Sequence, residues 1–173
     1  MNKVSKLGQF ANFVCYSFLQ LVAGQLLIIP GTCFCFIYVA FLLLLPRRQE
    51  GLTLLFVISF AVGFFIDMFY NSMGVHAFSS VFMVASRVFL LKLMLPVSDY
   101  EAVTQPTLSN LGWKRFSLFA LVLIGIHHTV VFFLEACSTV LFFVVMRKVV
   151  FSTLLTFSVF LLTQSMKLVV RKK

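Results

Sequence analysis

The side chains in this sequence that could do chemistry stand inside apolar runs. Asp67 comes late in one run and Arg87 well inside the next. His76 lies between them, and His127-His128 with Glu135 occupy a later run. Ionisable groups in such stretches are functional or bundle-locking by default, as proton carriers, metal ligands or ion-pair partners. Spacing narrows these options. His128 and Glu135 are seven residues apart and share a helical face, but adjacent histidines on a helix point about 100° apart. A metal site needs three or more convergent ligands. We therefore expect His127 and His128 to hydrogen-bond across helices, with no metal and no cofactor. Asp67 falls about one turn before the polar break Asn71-Ser72-Met73-Gly74, whereas Arg87 lies roughly 18 Å beyond it at 1.5 Å per residue. A direct Asp67–Arg87 salt bridge is not expected. His76, Ser79 or Ser80 suit Asp67 better, and Arg87 should pair with another helix or snorkel inward with Lys92.

Other chemistry is missing. There is no Ser/His/Asp constellation, P-loop, dinucleotide fingerprint or HExxH run. Asp67 and Glu135 fall on different helices, so no catalytic carboxylate pair is legible and no enzyme is expected. Asp67/His76 and His127/His128/Glu135 would suit a proton relay in a transporter, yet no inverted repeat with matched broken helices is present. Cys33-x-Cys35 lacks zinc or thioredoxin spacing. Cys15, Cys33, Cys35 and Cys137 read as small hydrophobes, with no Cys33–Cys137 disulfide.

The elements that must position these residues are membrane helices. Of 173 residues, 61% are hydrophobic and 23 are phenylalanine, and the mean hydropathy of +1.07 excludes an ordinary soluble domain. We expect an all-α membrane protein, one bundle over residues 1–173, with six spans at about 7–29, 32–46, 52–70, 75–95, 113–135 and 149–168. The first reads as an uncleaved helix with a polar stripe of Gly8, Asn12, Tyr16, Gln20 and Gly24. Thr32 to Leu45 covers only about 21 Å as a helix, short of the roughly 30 Å hydrocarbon core. It must borrow flanking residues or lie shielded in the bundle. Ser59, Gly63, Asp67 and Asn71 make the stripe of the third span, and His76, Ser79, Ser80, Met83, Ser86 and Arg87 that of the fourth. Residues 96–112 read as a cytoplasmic loop, Trp113-Lys114-Arg115 as an interfacial anchor, and 137–148 as an interfacial or re-entrant segment.

The net charge of +9 does not point to nucleic acid, because the bases come in small groups between apolar runs rather than on one surface. Six spans with both termini in the cytoplasm keep nearly all of them inside, leaving only Arg147 and Lys148 outside.

At Gly63 to Ala77, GFFIDMFYNSMGVHA, the chain resembles the signature of the bacterial rod-shape-determining protein MreD family. Gly63, Asp67, Gly74, His76 and Ala77 stand at matching positions, with His76 where many members carry Asn. The likeness extends to the short second run ending at Pro46, the loop PVSDYE, the Gly112-Trp113 restart and HHTVVFFLEA from His127. It implies a non-enzymatic protein of the bacterial inner membrane that binds the membrane protein MreC. Through MreC it would work with the MreB filament and the peptidoglycan synthases of cell elongation. The family also resembles in fold the substrate-binding subunits of energy-coupling-factor vitamin transporters, which gives the alternative function. Such a subunit is expected to carry an AxxxA pattern in its first helix, which this chain lacks.

Overall fold

In a computed structural model the chain is described over residues 13–22, 32–46, 51–103, 105–137 and 140–172, with the side chains of 97, 101, 102 and 167–172 set aside. The described elements are helical: α1 (Phe13–Val22), α2 (Val39–Leu44), α3 (Leu52–Tyr70), α4 (Val75–Met94), α5 (Val97–Ala102), α6 (Leu108–Ala136) and α7 (Phe142–Lys172). Among the described residues, α3, α4, α6 and α7 are long and apolar enough to cross a membrane. They pack in series, α3 on α4, α4 on α6 and α6 on α7. Their outer faces carry Phe60, Phe64, Phe89, Leu118, Leu154 and Leu162, all exposed, as expected of helices solvated by lipid.

Three sequence expectations are revised. Residues 32–46 are not one helix: only the six residues Val39–Leu44 are α-helical, after an open stretch and three overlapping tight turns at 36–41. Extended residues advance about 3.3 Å each against 1.5 Å in a helix, so partial unwinding lengthens the reach of a run too short to span as a helix. Residues 142–148 belong to α7 rather than to a separate interfacial segment, because nothing between Phe142 and Val149 interrupts helical geometry. The 96–112 loop contains α5 and the first turn of α6. Gly112 (φ 73°, ψ 162°) breaks α6, so its continuous part begins at Trp113. Of the 7–29 span, only α1 falls within the described residues; Gly8, Asn12 and Gly24 lie outside them.

The core is built around 32–46. Cys35, Phe36, Tyr38, Val39, Leu42 and Leu43 are almost wholly buried. A non-helical backbone in lipid is tolerated only where protein or water satisfies its polar groups, and here side chains of the surrounding helices do so. The Gln20 amide of α1 donates to Cys35 O (3.1 Å) and accepts from Tyr38 N–H (3.3 Å). From α7, Ser152 Oγ accepts from Phe34 N–H (2.9 Å) and Thr156 Oγ1 from Phe36 N–H (3.2 Å). At the other end Arg87 of α4 donates to Leu42 O (3.2 Å) and Leu45 O, and Gln105 donates to Leu44 O (2.6 Å). Arg87 is thus the cation at the C-terminus of α2, where carbonyls lack helical partners and positive charge is favoured. Hydrogen bonds to charged groups are worth about 1.5–3 kcal/mol each. Arg87→Met should therefore cost about 3 kcal/mol or more and lower the thermal unfolding midpoint of the detergent-purified protein. Arg87→Lys, which keeps a donor and the charge, should cost less. Equal midpoints for all three proteins would contradict this role.

Candidate functional site

The residues marked out in Gly63 to Ala77 form one lock at the α3–α4 turn. Gly63 meets the start of α4 so closely that a Cβ there would lie 2.5 Å from both Ala77 Cα and His76 O. No side chain fits, so glycine permits the crossing and Ala77 faces it. Four residues on, buried Asp67 turns to the same place. Its Oδ1 accepts from His76 N–H (2.9 Å) and from the Ser72 hydroxyl, and its Oδ2 accepts from Ala77 N–H (2.9 Å). The first N–H groups of a helix have no internal partner, and a carboxylate there also meets the positive end of the helix dipole. Gly74, the residue before α4, has no side chain to cap it, so Asp67 caps α4 from the preceding helix. The turn is tight: Asn71 (φ 53°) ends α3 in the left-handed region, and Met73 (φ 46°) and Gly74 (φ 91°) follow suit. The backbone amides of His76 and Ala77 are the partners of Asp67, rather than the side chains of His76, Ser79 or Ser80.

A second polar group fills the core beneath the turn. The Tyr38 hydroxyl lies 3.1 Å from His76 Nδ1 and 2.6 Å from His127 Nε2, bridging α4 to α6. His128 points elsewhere, as adjacent helical residues must. Its Nδ1 lies 2.8 Å from Ile124 O and its Nε2 3.3 Å from Thr156 Oγ1. Phe36 packs among the three imidazoles, with ring centroids 4.9 Å from His76, 5.9 Å from His127 and 5.2 Å from His128. The Gln20 amide also donates to Tyr70 Oη (2.9 Å).

The structure therefore joins His76 to His127 and keeps Asp67 one layer above them. Arg87 is remote, at the opposite end of segment 32–46. Glu135 does not join the histidines: it is exposed while they are buried, and Lys148 of α7 is the charge that bears on it. The shared face of His128 and Glu135 is real in spacing, but α6 ends one residue after Glu135 and carries it out of the core. Among the described residues no three His, Cys, Asp or Glu converge as metal ligands. The four cysteines are free. Sequence reasoning missed Tyr38, the hub of the cluster. The available signal was a short run bounded by Pro30-Gly31 and Pro46, which could not span as a helix.

Outside the lock, α3 and α4 form an open groove of about 540 Å³ lined by Phe60, Phe64, Met68, Met73, Phe78 and Val81, with Asp67 and Asn71 at its polar end. Met73 is 97% exposed. Comparison with protein-family models, curated proteins and solved structures finds no match to this chain.

The lock makes a direct prediction. Gly63→Ala forces a backbone collision and should destabilise by about 1–3 kcal/mol, the usual range for overpacking. Asp67→Ala strands two buried amides and should cost a similar amount. Both should lower the thermal midpoint in detergent, whereas Asn71→Gly, which suits a left-handed position, should not. A Gly63→Ala protein as stable as the parent would refute the close crossing.

Proposed function

We propose that this chain is a non-enzymatic, multi-pass component of the bacterial inner membrane that serves the cell-elongation machinery as a scaffold. Its direct partner is the membrane protein MreC, and it acts through MreC on the MreB filament and the elongation peptidoglycan synthases. The observation that carries this reading is the fate of the MreD-like signature. Gly63, Asp67, Gly74 and Ala77 are spent on fixing one helix hairpin, and the outward side of that hairpin is an apolar groove. A signature that builds a rigid surface rather than a reactive centre suits a protein whose work is binding. In lipid, helix association rests on close packing and a few hydrogen bonds. The groove offers aromatic walls and the exposed Asn71 for such a contact with the partner's single membrane helix. In this reading the bundle makes six passes with both termini cytoplasmic, α1 and residues 32–46 contributing the first two.

Uptake of a vitamin, as by the substrate-binding subunits of energy-coupling-factor transporters, has one observation in its favour. Partly unwound backbone with polar side chains at membrane depth is how transporters build binding sites. Here, however, those side chains are already engaged with the protein: the Gln20 amide uses both its ends, and both Asp67 oxygens are taken.

A photo-crosslinking residue at Phe64 or Phe78 should capture MreC in cells, and one at the exposed Leu154 of α7 should not. Depletion should round the cells. Capture from Leu154 alone would move the interface, whereas a stoichiometric vitamin in the purified protein, with no MreC captured from any position, would replace the scaffold by uptake.

A further inference from the structure

Segment 32–38 packs against three buried imidazoles: His76 and His127 meet the Tyr38 hydroxyl directly, and His128 meets the Thr156 hydroxyl that accepts from Phe36 N–H. Tyr38 has one hydrogen and sits between two ring nitrogens, His76 Nδ1 and His127 Nε2. Both contacts are hydrogen bonds only if the hydroxyl donates to one imidazole and accepts from the other. His127 Nδ1 has no partner and is sealed from water. A buried lone pair without a donor is cheaper than a buried N–H without an acceptor. The proton of His127 therefore belongs on Nε2, which donates to Tyr38, and Tyr38 donates to the bare Nδ1 of His76. His128 repeats the pattern. Its Nδ1–H donates to Ile124 O, so its Nε2 accepts from the Thr156 hydroxyl, which itself accepts from Phe36 N–H. Two bare imidazole nitrogens thus end the two chains that anchor Tyr38 and Phe36.

We propose that these histidines form an acid-opened latch, which releases segment 32–38 from α4, α6 and α7 when they take up protons. A proton on His76 Nδ1 turns the acceptor of the Tyr38 hydroxyl into a donor. A proton on His128 Nε2 does the same to the Thr156 hydroxyl, which is left with Cys35 as its acceptor. In each case the hydroxyl must turn its hydrogen away from the imidazole, and a charge is left in a site closed to water, which costs far more than a neutral hydrogen bond returns. The titratable groups facing the cluster are Asp67 and Tyr70 from α3, Cys35 on the segment, and the histidines themselves. α1 and α7 face it with the uncharged Gln20 and Thr156. His76 lies in the first turn of α4, next to the α3–α4 turn. Imidazole is the side chain that ordinarily changes charge near physiological pH. The device would operate whichever partner or ligand the protein serves.

Cys35 reports on the latch, because it is buried three residues before Tyr38, whereas Cys137, just past the end of α6, is exposed. The full chain in nanodiscs is treated with a maleimide between about pH 8 and about pH 5.5, the range in which imidazoles charge. Modification of both cysteines is followed by mass spectrometry. The Cys35 rate divided by the Cys137 rate removes the pH dependence of thiol chemistry itself. That ratio should rise about tenfold or more on acidification, in line with one or more protons binding to the open form. In Tyr38→Phe it should already be high at pH 8. In a His76→Gln, His127→Gln and His128→Gln protein the rise should disappear. A flat ratio in the unsubstituted protein overturns the proposal without recourse to any variant, as does a rise that survives in the triple variant.

Discussion

The interaction on which the rest of this structure depends is the pairing of an unwound backbone, deep in an apolar bundle, with polar side chains from its neighbours. Peptide groups outside a helix cannot be left bare in lipid. Residues 32–46 meet that constraint by drawing one residue or more from almost every element around them: Gln20 from α1, Arg87 from α4, Gln105 after α5, and Ser152 and Thr156 from α7. His76 and His127 complete the ring through Tyr38. The polar stripes of the long helices are therefore largely a mould for this one segment, running along α4 from His76 to Arg87, roughly 16 Å of helix axis.

The α3–α4 lock follows from the same economy of polar groups. Asp67 could have been a charge in search of a cation, and Arg87 the cation. Instead each neutralises the end of a helix, Asp67 at the N-terminus of α4 and Arg87 at the C-terminus of α2. Both charges face partial charges of the backbone, with no ion pair between them. That division makes each of these two intramembrane charges a brace for the backbone.

Much of this was legible in the sequence. Helical spacing put Ser59, Gly63, Asp67 and Asn71 on one face of α3, and His76, Ser79, Ser80, Met83, Ser86 and Arg87 on one face of α4; all are buried except Asn71, which is exposed at the turn, and Ser86, which is half-buried. Depth arithmetic separated Asp67 from Arg87. The stripe position Gln20 read as protein-facing but gave no hint that its partner was main chain. The unwound stretch itself was not legible, because Cys-Phe-Ile-Tyr-Val is as apolar as any helix and its unwinding depends on hydrogen bonds from residues far along the chain. Tyr38 was missed for that reason. Glu135 was misplaced because a shared helical face says nothing about where the helix leaves the core.

Amide hydrogen exchange at Phe34, Phe36 and Tyr38, in the full chain in nanodiscs at neutral pH, tests the central claim most directly. If side chains hold the unwound segment, these amides are as protected as those of α4, and Thr156→Val speeds Phe36 while leaving α4 unchanged. Exchange at the rate of an open loop in the parent protein would contradict the account.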